Sequence, residues 1–217
     1  EKASSPEASG RVWGERYAGV LMLAVSVAAG IFMARLAFQA AGDTRMISAL
    51  HEDEGLVAEL YDGLVKQDVL DLGDKWGYTY GSFHLMTVSI LARAISPAVR
   101  LDGSGCIIIN RLLLASALLL TGWTVFFAGK RFFKSSLLGV FAAFLLLTNP
   151  GVLSMSILSN YPDVFHMLFF TISLVFASLM VAGFTPLRAF LAMLFMGLGF
   201  SIKYMGIPLA PVLTAAF

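Results

Sequence analysis

Charge is scarce in this chain: 13% of its 217 residues are Asp, Glu, Lys or Arg, against 58% hydrophobic residues. Mean hydropathy is +0.81. A soluble domain of this size cannot hide so much apolar side chain in one core, so the expected solvent is lipid. A single cysteine, Cys106, excludes a disulfide framework within the chain. A net charge of +1 gives no reason to expect nucleic acid or a polyanion as partner. No HExxH, CxxC or paired-histidine spacing argues for a metal site. No glycine-rich phosphate loop, nucleophile elbow or Ser-His-Asp arrangement stands out either. A cleavable signal peptide is absent from the pattern, because the N-terminus is polar and the first apolar run is too long for one. The sequence opens on Glu1 and stops inside the apolar run Pro208 to Phe217, as expected for a piece of a longer membrane protein.

What is abundant is apolar sequence in long runs. A membrane-crossing helix needs roughly 20 mostly apolar residues. Tyr17–Ala41, Cys106–Ala128, Ser135–Ser156 and Val164–Gly183 qualify, Leu187–Ile202 is short, and Tyr204–Phe217 begins a further span. Pro150 and Pro208 are expected to kink their helices. Phe83–Val99 is better read as a helix lying in the membrane interface. Ser82, Ser89, Arg93, Ser96 and Arg100 fall on one stripe, opposite Phe83, Met86, Ile90 and Leu91.

The basic residues test that reading. Lys2, Arg11 and Arg16 precede the first span, Lys130, Arg131 and Lys134 follow the second, and Arg188 follows the fourth. All seven share the cytoplasmic side if Phe83–Val99 does not cross, as the positive-inside rule prefers. The expected organisation is a cytoplasmic tail (1–16), a first transmembrane helix (17–41), an external loop with interfacial helices (42–105) and further transmembrane helices (106–217). The fold class is therefore all-α, a polytopic helical bundle with amphipathic interfacial helices in its first external loop.

Acids are distributed unevenly. Asp43, Glu52, Asp53, Glu54, Glu59, Asp62, Asp68, Asp71, Asp74 and Asp102 all belong to the external segment, and beyond it only Asp163 remains. On this topology Asp163 also lies at the external end of its helix, which makes that face the expected place for a site. Within the segment, Leu56, Val57, Leu60, Tyr61, Leu64 and Val65 repeat at helical spacing, with Glu59, Asp62 and Lys66 opposite. Gln67 to Tyr80 reads as a loop, with Trp76, Tyr78 and Tyr80 suited to the headgroup level.

Asp53 and Glu54 suit two roles. They can cap the helix and complement its dipole, or serve as a general base or metal ligand at the membrane face. Asp163, in Asn160-Tyr161-Pro162-Asp163, is either the N-cap of its span or a functional acid, since charge at a membrane helix end is expensive. Arg35, Arg111 and Lys203 each interrupt apolar sequence near the external side; each can be read as a snorkelling side chain, and Arg35 is best read so. Arg111 and Lys203 sit a turn or more inside apolar sequence, where a buried anionic partner such as a phosphate would suit them. His84 and His166 read as structural. Gly197-Leu198-Gly199 reads as a helix-packing element.

The order of these features resembles the N-terminal half of the GT-C glycosyltransferases, the superfamily of the protein O-mannosyltransferases and the aminoarabinose transferases of lipid A. Asp53-Glu54-Gly55 stands where that superfamily has an acidic motif after span one. Tyr78 to His84 stands at the start of an interfacial helix, without the Pro-Pro-Leu often found there. Arg111-Leu112 opens the next span, Gly129 to Phe133 forms its basic turn, and Pro150 falls late in span three. Tyr161-Pro162-Asp163 heads span four, and Gly197–Tyr204 matches a glycine-rich span ending in Lys-Tyr.

The resemblance implies an inverting transferase that takes a sugar from a polyprenyl-phosphate donor and passes it to a glycan, lipid or protein acceptor. It would act at the external or lumenal face of a bacterial or archaeal plasma membrane or the endoplasmic reticulum. It implies Asp53 as catalytic base, Glu54 as its support, and Asp163 in the same cavity. Arg111 and Lys203 would hold the donor phosphate, and Tyr80, His84, Tyr161 and Tyr204 would line the cavity. A divalent metal cofactor belongs to the oligosaccharyltransferase branch, whereas the mannosyltransferase-like branch is often metal-independent. The competing readings are a transporter or flippase fragment, which predicts a midplane site and paired repeats, and a non-catalytic subunit sharing the scaffold.

Overall fold

The computed structural model describes residues 6–38, 83–95, 103–154 and 162–202. These residues form helices joined by turns, with no strand among them. In chain order the helices are α1 (Pro6–Phe38), α2 (Phe83–Ile95), α3 (Gly103–Phe132), α4 (Ser136–Thr148), α5 (Pro150–Leu153), α6 (Asp163–Ala182) and α7 (Pro186–Phe200). Three stretches are long and apolar enough to cross a membrane: Tyr17–Phe38, Gly105–Phe132 and Asp163–Ala182. The expected helix Leu56–Lys66, the following loop and the span beginning at Tyr204 lie outside the described residues.

Two boundaries differ from expectation for identifiable reasons. The tail assigned to residues 1–16 is helical from Pro6 onward, continuous with the first span. Proline is tolerated in a first helical turn, where its missing N–H costs nothing. The expected span Ser135–Ser156 is interrupted rather than kinked. The α4 helix ends at Thr148, and Asn149 takes an extended conformation. Its Oδ1 then accepts hydrogen bonds from the Gly151 and Val152 amides at 2.9 and 3.2 Å. Pro150 cannot donate to the preceding turn, and Asn149 is a strong N-cap, so the pair stops one helix and starts another.

Helix packing is antiparallel along the chain. The Arg111 side chain reaches the Ala37 carbonyl, and Gly30 lies opposite Leu119, which fixes α1 against α3. The α3 and α4 helices form a hairpin around a left-handed residue, Lys134, with φ of 50°, followed by Ser135, whose side chain caps α4. Gly129 and Gly139 meet where the two helices cross: a Cβ on Gly129 would lie 2.5 Å from the Gly139 Cα. Between α6 and α7, Ser173 Oγ donates to the Ala192 carbonyl at 2.8 Å. His166 Nδ1 lies 3.0 Å from the Gly199 carbonyl oxygen.

The bundle is apolar outside as well as inside, and its core encloses a few polar side chains. Ser26, Asn110, Arg111, Thr121, Ser136 and Ser173 are buried, while Val20, Leu23, Val27 and Ile31 of α1 and Leu137, Phe141 and Leu145 of α4 are exposed. In water each such exposed side chain forgoes about 1.5–3 kcal/mol of burial. A lipid environment removes that cost, and small or hydroxyl-bearing residues then become the packing surface. Two of the buried hydroxyls bond within their own helices, Ser26 and Thr121 donating to the Met22 and Ala117 carbonyls, each at 2.8 Å.

On α2, the buried residues are Val88 and Ala92, while Met86, Ile90 and Arg93 are exposed. The helix thus packs against α3 through a narrow small-residue seam. Met86 and Ile90, from the expected apolar stripe, face outward.

Candidate functional site at the Arg111 end of the bundle

The α3 and α6 helices run parallel. Phe127, Lys130 and Arg131 near the end of α3 line the same cleft as Val175 and Leu179 in the later half of α6. Their N-terminal ends consequently share the opposite end of the bundle, together with the C-terminal ends of α1 and α7. This end holds Arg111, Asp163 and His166.

Arg111 is the ninth residue of α3, about 12 Å along the axis from its start, and its exposure is 0%. One guanidinium nitrogen donates to the Ala37 carbonyl at 3.3 Å. That carbonyl lies in the last turn of α1, where the helix dipole presents partial negative charge to a cation. Arg111 is therefore not a snorkelling residue. Its charge is held inside the helix packing, beside the buried Asn110.

Asp163 is half-buried at the first position of α6. The N-cap reading does not hold, because the capping position is Pro162, which makes no side-chain cap hydrogen bond. The Pro162 carbonyl instead accepts from the Phe165 and His166 amides at 3.0 and 3.2 Å. This carboxylate sits in the first turn, where the helix dipole favours negative charge.

His166 follows Asp163 by three residues and so shares its helical face. A carbonyl oxygen only accepts, so the 3.0 Å contact with Gly199 puts the proton on Nδ1. The ring also packs on Phe170, with centroids 4.3 Å apart. The structural reading of His166 thus holds for Nδ1. The i, i+3 relation to Asp163, visible in the sequence, was the signal that tied it to this end.

Asp53, Glu54, Tyr80, Tyr161, Lys203 and Tyr204 lie outside the described residues, as does the side chain of His84, whose backbone belongs to α2. Among the described residues no group of three His, Cys, Asp or Glu side chains is placed to hold a metal ion.

The opposite end is basic. Lys130 and Arg131 occupy the last turn of α3, Lys134 lies in the following turn, and Arg188 opens α7. The antiparallel α1 brings its Arg11 and Arg16 positions to the same end. Arg188 donates to the carbonyls of Leu179, at 3.0 Å, and Gly183, closing the end of α6.

The fold thus defines an all-helical bundle with three helices long and apolar enough to cross a membrane, one end basic and the other carrying a buried cation and an acid. No known protein family, curated protein or solved structure matches the chain.

Proposed function

We propose that this protein is an integral membrane glycosyltransferase, moving a sugar from a polyprenyl-phosphate donor to an acceptor hydroxyl at the external or lumenal face. The observation that carries the reading is the fully buried Arg111 cation, at the same bundle end as Asp163 and opposite the basic end. A cation held at this end is a fixed positive charge that suits an anionic substrate group such as a phosphate. On the positive-inside rule the basic end is cytoplasmic, so Arg111 and Asp163 face the other side, where the acid-rich segment 42–105 also emerges.

The chemistry follows from those charges. The Asp53 carboxylate, supported by Glu54, takes the proton of the acceptor hydroxyl. The acceptor oxygen bonds to the anomeric carbon as the bond from that carbon to the phosphate oxygen breaks. The configuration inverts, and the carrier phosphate leaves with the bonding electrons. Arg111 and Lys203 stabilise the charge that develops on this phosphate, in a site from which lipid excludes bulk water. Asp163 lines the cavity and orients the sugar hydroxyls. Where a divalent metal is used, the external carboxylates are the residues that would hold it, lowering the negative charge of the phosphate.

The test is transfer from a panel of polyprenyl-phosphate sugars by membranes containing the protein and its Asp53→Asn variant. The expected result is transfer from at least one donor, abolished in the variant while membrane insertion is retained. Transfer undiminished in Asp53→Asn removes the base assignment, and no transfer from any donor removes the enzyme reading.

A further inference from the structure

The basic end contains a feature that sugar transfer does not use. A cleft of about 500 Å³ opens between the later halves of α3 and α6, lined by Phe127, Lys130, Arg131, Lys134, Val175 and Leu179. Its lining divides by chemistry: three cations from the end of α3 and the turn after it, and three apolar side chains nearer the middle of the bundle. Lys130, Arg131 and Lys134 are all exposed, and among the described residues none is paired with a carboxylate. The C-terminal dipole of α3 is equivalent to roughly half a negative charge, so most of the positive charge of the three is left uncompensated. Phe127 is exposed although it lies a turn inside the helix end, in a stretch long and apolar enough for membrane.

We propose that this cleft binds one anionic phospholipid, with its phosphodiester against Lys130, Arg131 and Lys134 and an acyl chain along Phe127, Val175 and Leu179. Charge complementarity selects the headgroup, because basic pockets between membrane helices capture lipid phosphates at the interface. Arg131 supplies a planar fork suited to two phosphate oxygens, and the lysines act as point charges around it. The apolar half of the lining selects a lipid over free phosphate, which has nothing to place there. The inference rests on insertion in a membrane but not on the transferase chemistry, which belongs to the opposite end.

The experiment uses the protein reconstituted in vesicles of equal parts phosphatidylcholine and phosphatidylglycerol, with the immobilised fraction of each spin-labelled lipid read by electron paramagnetic resonance. Wild type is expected to immobilise phosphatidylglycerol preferentially. The K130Q/R131Q/K134Q variant should lose that preference, by roughly a hundredfold at about fivefold per charge. The V175W/L179W variant keeps every charge but fills the cleft, and it should lose the preference as well. Preference retained in the triple variant overturns the site. Preference retained in V175W/L179W overturns it in favour of diffuse surface charge, and displacement by soluble glycerol phosphate overturns it in favour of a free-phosphate site. Release of the chain by alkaline carbonate overturns the membrane placement itself, and with it this site.

Discussion

Arg111 of α3 donates a hydrogen bond to the Ala37 carbonyl of α1, 3.3 Å away and 74 positions earlier in the chain. This bond ties the buried cation to the end of the first helix, so the same contact holds the packing together and fixes where the charge sits. Arg111→Lys keeps the charge but replaces a planar fork with a point charge. The expected outcome is a stability loss of about 1.5–3 kcal/mol, the scale of a hydrogen bond to a charged group, and at least about tenfold slower transfer. Thermal unfolding in detergent and the donor assay check the two effects separately. A variant as stable and active as wild type overturns both roles.

The Gly129–Gly139 crossing leaves no room for a methyl group. Gly129→Ala places a Cβ 2.5 Å from the Gly139 Cα, and Gly139→Ala places one 2.5 Å from the Phe126 carbonyl oxygen. Both obstacles are backbone, so the helices must separate, at about 1–3 kcal/mol for overpacking. Gly19 has nothing within 4 Å of an added Cβ. Gly19→Ala should instead be neutral or stabilising by up to about 1 kcal/mol, through helix propensity. Midpoints of thermal unfolding in one detergent compare the three variants.

Asn149 should carry a measurable part of the break between α4 and α5. Asn149→Ala removes the acceptor for the Gly151 and Val152 amides, a loss of about 0.5–2 kcal/mol. Asn149→Asp retains an acceptor oxygen and should retain most of the stability. Equal destabilisation by Ala and Asp would show that the cap contributes nothing.

His166→Phe preserves an aromatic ring beside Phe170 but leaves the Gly199 carbonyl without its imidazole donor. That carbonyl still accepts from the Ile202 amide at 3.1 Å, so the loss is that of one hydrogen bond between helices, about 0.5–1.5 kcal/mol, and α7 should detach from α6 more readily. Hydrogen exchange at the end of α7 is expected to accelerate while α3 is unchanged.

Cysteines placed at positions 84 and 131 should react with an impermeant maleimide from opposite sides of the membrane. Cys106 is fully buried and should not contribute background labelling. Labelling of both positions from one side would place the basic end and the start of α2 together and overturn the orientation.

The sequence alone determined the helical class, because long apolar runs leave the backbone no partners but its own i−4 carbonyls once water is excluded. It also located the long helices, the basic ends and the unusual acid Asp163, since these depend on composition and spacing. The break at Asn149 was half legible: Pro150 announced a disturbance, but only the conformation of Asn149 decided between kink and restart. Tertiary structure alone decided that Arg111 faces inward to Ala37, that Pro162 leaves Asp163 out of the cap position, and that Val88 and Ala92 form the packed seam of α2. Hydropathy cannot distinguish a lipid-facing leucine from a buried one when both neighbours are apolar. Which face turns inward is settled by close approach, at Gly129 and Gly139, and by the few polar groups that must find partners across helices.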